Sequence, residues 1–166
     1  MIAGTSSRDV TVQDRLRGAV WGQFVGDAAA LGTHWIYDLQ ELSVKFPGGV
    51  VGFESPAPDH YHASRKSGDQ THYGDGALVL LESIAEVGAF DARSFGKRFV
   101  ATFGSPNYHG YLDKATSGTL ENYKRFCQTN PAESYDFQQG ADDKSSSWGV
   151  TSRQLSGALL ARPSPA

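Results

Sequence analysis

In the stretch SGDQTHYGDG, residues 67–76, two carboxylates, a hydroxyl and an imidazole crowd together as Asp69, Thr71, His72 and Asp75. Groups of these types can give oxygen ligands to a hard cation, or set an acid and a base beside a substrate. The same residues also make an ordinary helix start. A carboxylate at Asp75 can accept the free N–H groups of a first turn, where it faces the positive end of the helix dipole. Upstream, His60 and His62 have the spacing that sets two imidazoles on one side of an extended segment. With His72 they make a candidate histidine metal site, against the simpler reading of loop histidines in water. The single cysteine, Cys127, excludes an internal disulfide and a cysteine-built zinc site, and reads as a half-buried thiol on a helix.

These groups sit in residues 54–76, where no apolar period appears, and a loop of that length in a compact domain is either functional or disordered. A helix is expected to follow over 75–87, with Leu78, Leu81, Ile84 and Ala85 on one apolar face. Ahead of the loop, residues 14–31 carry Leu16, Ala19, Val20, Phe24, Ala28 and Leu31 at helical spacing. In that same helix Gly18, Gly22, Gly26 and Ala30 recur every fourth position. Each glycine costs about 0.8–1 kcal/mol relative to alanine, a cost that close approach of another helix or of a ligand would offset. Small residues at this spacing also mark membrane helix dimers, but Asp14, Arg15, Arg17 and Asp27 argue against that here. Residues 32–53 leave the helix at Gly32 and turn at Pro47-Gly48-Gly49. Two more helices are expected: 91–103, with Asp91 as N-cap and Phe95, Phe99 and Phe103 as a core stripe, and 117–127, with Leu120, Tyr123 and Phe126.

Only residues 49–53 have a strand-like pattern, so the periodicities support an all-α fold. Residues 1–13 read as a flexible arm, 14–143 as the body, and 144–166, rich in Ser, Gly, Pro and Ala, as a poorly ordered tail. A chain of 166 residues with 39% hydrophobic and 20% charged residues has the composition of one soluble domain. Its formal charge of −3, without a basic stripe, disfavours nucleic acid as a partner. No run reaches the ~18 apolar residues of a membrane span and the N-terminus lacks a signal-peptide pattern. An intracellular, cytoplasmic protein is the expectation.

Three segments together resemble the ADP-ribosylglycohydrolase family: RLRGAVWGQFVGDAAALGTHWIYD (15–38), THYGDGALVLLESIAE (71–86) and NYHGYLDKATSGTL (107–120). The wording Thr-His-Trp and Thr-His-Tyr-Gly-Asp is similar to the branch that includes the J-type crystallins of jellyfish lens. The resemblance implies an orthogonal α-helical bundle which, in hydrolase members, holds two magnesium ions and cleaves a glycosidic bond to ADP-ribose. Carried onto this chain, it implies Thr71, Asp69 and Asp75 at magnesium and Asp75 and His72 as catalytic groups. Gly26, Asp27, His34, Trp35 and Tyr73 are implied on the substrate side, with the indole stacking on a nucleobase; the alternative for His34 and Trp35 is a half-buried aromatic pair that seals the helix end. The implied partner is an ADP-ribosylated protein or a small ADP-ribose conjugate.

Two departures from the family pattern stand out. The Thr-Asp-Asp-Thr block of metal-binding members falls on Thr71, His72, Tyr73 and Gly74, so only the threonine is kept. The downstream Gly-Asp-Thr-Asp block is absent from these 166 residues. The chain therefore reads as the N-terminal half of such a domain, expected to associate through uncovered helix faces, above all the glycine groove of its first helix. A non-catalytic structural or ADP-ribose-binding relative stands as the alternative to a hydrolase.

Overall fold

A computed structural model describes residues 9–137, so the end of the expected body, 138–143, and the expected tail at 144–166 lie outside the described residues. Helix α1 spans Val12–Ala30 and tightens into a single 3-10 turn, Leu31–Thr33. Helix α2 spans Leu39–Lys45, α3 His72–Val87, α4 Ala92–Phe103 and α5 Lys114–Thr129. Among the described residues there is no strand, and 49–53 is irregular. The all-α expectation holds, and no described helix is long and apolar enough to cross a membrane.

Local caps set where each helix begins. Thr11 and Asp14 form a reciprocal capping box, Thr11 Oγ1 accepting the Asp14 N–H and Asp14 Oδ2 accepting the Thr11 N–H, each at 3.1 Å. This starts α1 at Val12, ahead of the apolar pattern. Asp91 caps α4 as expected, its Oδ1 accepting the Ser94 N–H at 2.6 Å. Asp113 caps α5 in the same way through Thr116 at 2.7 Å, so that helix begins before residue 117. The α2 helix was not expected. Asp38 caps it by accepting the N–H groups of Gln40 and Glu41, while Leu39 and Val44 stay exposed, so no apolar stripe announces it.

Helix α3 is the centre of the packing, flanked by α1 and α4. Its buried residues are His72, Gly74, Gly76, Ala77, Val79, Leu80 and Ser83. The expected face of Leu78, Leu81, Ile84 and Ala85 is thereby corrected: Leu78 is 43% exposed. The reason is burial from two sides. Phe24 of α1 packs on Ala77 and Leu80, while Phe99 and Phe103 of α4 pack on Val79. A single helical stripe cannot represent that. Phe95 touches both clusters, and a Ser83–Ser94 hydroxyl bond of 3.1 Å ties the two helices. The phenylalanine stripe of α4 behaves as expected, with ring centroids 6.0 and 4.8 Å apart along it. After α5 the chain folds back, and Phe137 lies so close to Gly96 that any side chain there would overlap its ring.

The outer face of α1 is different. A Cβ at Gly18, Gly22 or Gly26 would meet nothing within 4 Å, and Trp21 is 70% exposed. Within residues 9–137 no helix fills the glycine groove, and the expected uncovered face is what stands there. Phe103→Ala is expected to cost about 3–5 kcal/mol, whereas Trp21→Ala should stay within about 0.5 kcal/mol. Urea unfolding of both variants checks this, and a large loss from Trp21→Ala would mean that something covers that face.

Candidate functional site

The polar end of α3 is built onto α1 by one carboxylate. Asp27 Oδ2 accepts the Thr71 N–H at 2.7 Å, and its Oδ1 accepts the Thr71 hydroxyl at 2.6 Å. Thr71 in turn caps α3, its Oγ1 accepting the Tyr73 N–H at 3.1 Å. The cap is therefore Thr71, and Asp75 is released from that role. Beside it, Gln70 Nε2 donates to the Phe24 carbonyl at 3.2 Å. Gly74 must lack a side chain, since a Cβ would stand 2.3 Å from both Asp27 Oδ2 and Gln70 Oε1. The segment leading in, expected to be without regular structure, is a chain of tight turns closed by bonds such as Ala63 N–H to the His60 carbonyl and Arg65 N–H to the His62 carbonyl.

Asp75 points to a different set of partners. Its carboxylate is ion-paired with Arg65 and accepts the Tyr108 hydroxyl at 2.7 Å. Burial pushes the Asp75 carboxyl up, and the Tyr108 and Arg65 contacts offset that only in part. The Tyr108 phenol is pushed up in turn by burial and by the carboxylate beside it. These three groups and Asp69 border an open cleft of about 420 Å³. Asp69 itself accepts the Lys66 N–H at 2.9 Å, closing a turn.

A second cluster forms where α1 ends. The expectation of solvated loop histidines is overturned for two of the three, because His62 and His72 are each only 1% exposed. They converge with His34, so that one ring nitrogen from each lies within 4.8 Å of the others. His60 is not part of this trio: its Nε2 lies 2.6 Å from the His34 carbonyl, and its Nδ1 accepts the His62 N–H at 3.1 Å. Burial, reinforced by His72, holds the His34 imidazole down at about 4 and that of His62 at about 3, so both are neutral near pH 7. Behind His72, Asp113 Oδ2 stands 3.6 Å from Nε2. Burial works to raise the Asp113 carboxyl, but His72 and Thr116 hold it at about 2.

Trp35 covers the trio. Its φ of 62° is left-handed, a conformation a bulky side chain rarely takes unless the surroundings impose it. The indole lies 5.4 Å from His72 and meets Tyr61 and Tyr111 edge-on at 5.1 and 5.3 Å. Tyr73 stacks obliquely on His72 at 4.0 Å.

The structure thus gathers His34, Trp35, His72 and Tyr73 in one place and Asp69 and Asp75 in another, with Asp27 and Thr71 as the brace between α1 and α3. Gly26 lies on the open face of α1. Arg65, Tyr108, Tyr111 and Asp113 were not singled out from sequence. The last three stand in NYHGYLDKATSGTL, whose resemblance was noted, but nothing local says that a tyrosine there meets Asp75. Within residues 9–137 the groups do not fit a magnesium site. Asp75 is neutralised by Arg65, the Thr71 hydroxyl is engaged by Asp27 and Tyr73, and the donors that converge are imidazoles, which magnesium disfavours.

The described residues form a helical body whose sequence-distant polar groups meet at one helix terminus. Residues 8–165 match the model of the ADP-ribosylglycohydrolase family, and the chain belongs to that family. No curated protein and no solved structure matches it.

Asp27→Ala is expected to destabilise the fold by about 1.5–3 kcal/mol, because it leaves the buried Thr71 N–H and hydroxyl without their charged acceptor. Chemical denaturation measures this, and a loss under about 0.5 kcal/mol would show that the brace is dispensable.

Proposed function

We propose that this chain recognises an ADP-ribose group at the exit of α1, as a member of the branch resembling the J-type crystallins. The observation that carries the reading is Trp35. A non-glycine residue in the left-handed region stores backbone strain, and here it presents an indole among Tyr61, Tyr73 and Tyr111 at the rim of a polar cluster. Such a face suits stacking of a nucleobase. Hydrolysis through magnesium needs oxygen donors beyond residues 9–137, so binding without turnover is the function supported for the described residues.

Titration with ADP-ribose, followed by calorimetry and indole fluorescence, is expected to give saturable binding unaffected by millimolar magnesium. Trp35→Ala should weaken it by about 10-fold or more, the usual effect of losing one stacking partner. Absence of binding removes this proposal; magnesium-dependent release of ADP-ribose from a modified protein would restore the hydrolase reading, with Asp75 and His72 as its catalytic candidates.

The structural alternative rests on the outer face of α1, where no described residue covers Gly18, Gly22 and Gly26 and Trp21 and Val25 are exposed among residues 9–137. Self-association through that face predicts a concentration-dependent mass in sedimentation that Trp21→Glu reduces to a single chain. A concentration-independent monomer would end it.

A further inference from the structure

We propose that His34, His62 and His72 form a binding site for a zinc-class divalent ion, with three imidazole ligands and one open position. The convergence is not a local accident. His34 leaves the 3-10 turn after α1, His62 sits in the turns of the connecting segment, and His72 opens α3. Three separate pieces of chain therefore deliver one donor each to one point.

Geometry comes first. The donor atoms lie within 4.8 Å of one another. A tetrahedral ion with metal–nitrogen bonds of about 2.0–2.1 Å wants its ligands about 3.4 Å apart. Small rotations of the three rings close that gap, and because each side chain comes from a different segment they do so without competing for one backbone.

The second observation is independent of distance. Among the described residues, His34 Nε2, both ring nitrogens of His62 and Nδ1 of His72 are buried and make no hydrogen bond, while His72 Nε2 is turned to Asp113. A neutral imidazole always presents one donor and one acceptor, and buried polar atoms in folded proteins are nearly always paired. Buried ring nitrogens without partners carry a cost that packing of the rings does not remove. A cation accepting one lone pair from each ring offsets the acceptor part of it. Burial also keeps His34 and His62 in the neutral form, which is the form that ligates.

The surroundings supply what a ligating histidine needs behind it. Asp113 Oδ2 stands 3.6 Å from His72 Nε2, placed as the outer carboxylate that orients a metal-bound imidazole. His60, bonded to the His34 carbonyl and to the His62 N–H, holds the two segments in register. The donor set decides the ion. Three nitrogens without a converging carboxylate or thiolate disfavour magnesium and calcium and suit zinc, with cobalt and nickel as substitutes. Three protein ligands leave a fourth position for water, beneath the indole of Trp35. The inference stands on these contacts alone and does not depend on ADP-ribose recognition.

The test uses the full 166-residue chain without an affinity tag, freed of metal by chelator and exchanged into chelator-free buffer. Zinc titrated against a chromophoric competitor should bind at one ion per chain, and millimolar magnesium should not displace it. Cobalt should give the visible absorption of a four- or five-coordinate nitrogen site. His62→Ala should lower zinc affinity by about 100-fold or more and abolish the cobalt spectrum, while Asp113→Asn should lower affinity by about 10-fold. His109→Ala, an exposed histidine outside the trio, should change neither. Zinc binding by His62→Ala equal to that of the parent, or loss of binding in His109→Ala, overturns the site. If His62→Ala fails to fold by circular dichroism, the parent's cobalt spectrum decides: an octahedral, water-like spectrum overturns the proposal as well.

Discussion

The carboxylate of Asp27 holds the rest of the arrangement in place. It sits on the last turns of α1, yet its two oxygens are taken by the backbone and side chain of Thr71, 44 positions away. A charged acceptor with two short donors at low exposure is stronger than a neutral bond, and it fixes direction as well as distance. Because Thr71 is the N-cap of α3, the bond sets where that helix begins and how its first turn faces α1. Gly74 completes the joint by leaving room for the carboxylate. His34 follows Asp27 by two turns of chain and His72 follows Thr71 directly, so one interaction brings both imidazoles to the same place.

From that joint α3 runs between α1 and α4 and divides the molecule's chemistry along its length. Its middle is apolar on two sides, with Ala77 and Leu80 toward Phe24 and Val79 toward Phe99 and Phe103. Its first turn is polar on two sides instead. His72 turns toward the histidine and aromatic cluster, and Asp75 toward Arg65 and Tyr108. Residues three apart on a helix share a flank only when one surface receives both. Here two surfaces meet the helix start, and the groups that looked like one site in sequence are parted between them.

Membership of the ADP-ribosylglycohydrolase family accounts for the helical body, but a fold carries many chemistries and the site has to be argued from its own atoms. In this chain those atoms are imidazole nitrogens shielded by Trp35 and a carboxylate already neutralised by a guanidinium. Both features draw the polar end away from hard-cation chemistry. Both groups lie in a partly buried setting, where electrostatic interactions are less screened than at a wet surface.

Much of the scaffold was legible in the residues themselves, because helices are local. The stripe Phe95, Phe99, Phe103, the Asp91 cap and the apolar spacing of α1 each lie within a few turns, and the all-α class follows from them. The short helix α2 carries only a local cue, the Asp38 cap ahead of Glu41, without an apolar stripe to accompany it. What only the tertiary structure decided is which faces are covered and which side chains meet. The buried flank of α3 depends on having neighbours on both sides, the meeting of His34, His62 and His72 depends on three segments crossing, and the Asp75 pair with Tyr108 spans 33 positions. Periodicity records a helix's preference for burial, but not the direction from which burial arrives. For that reason the polar stretch at 67–76 is legible in the sequence as a cluster of chemically capable groups, while the partners of those groups are set by contacts that no neighbouring residue encodes.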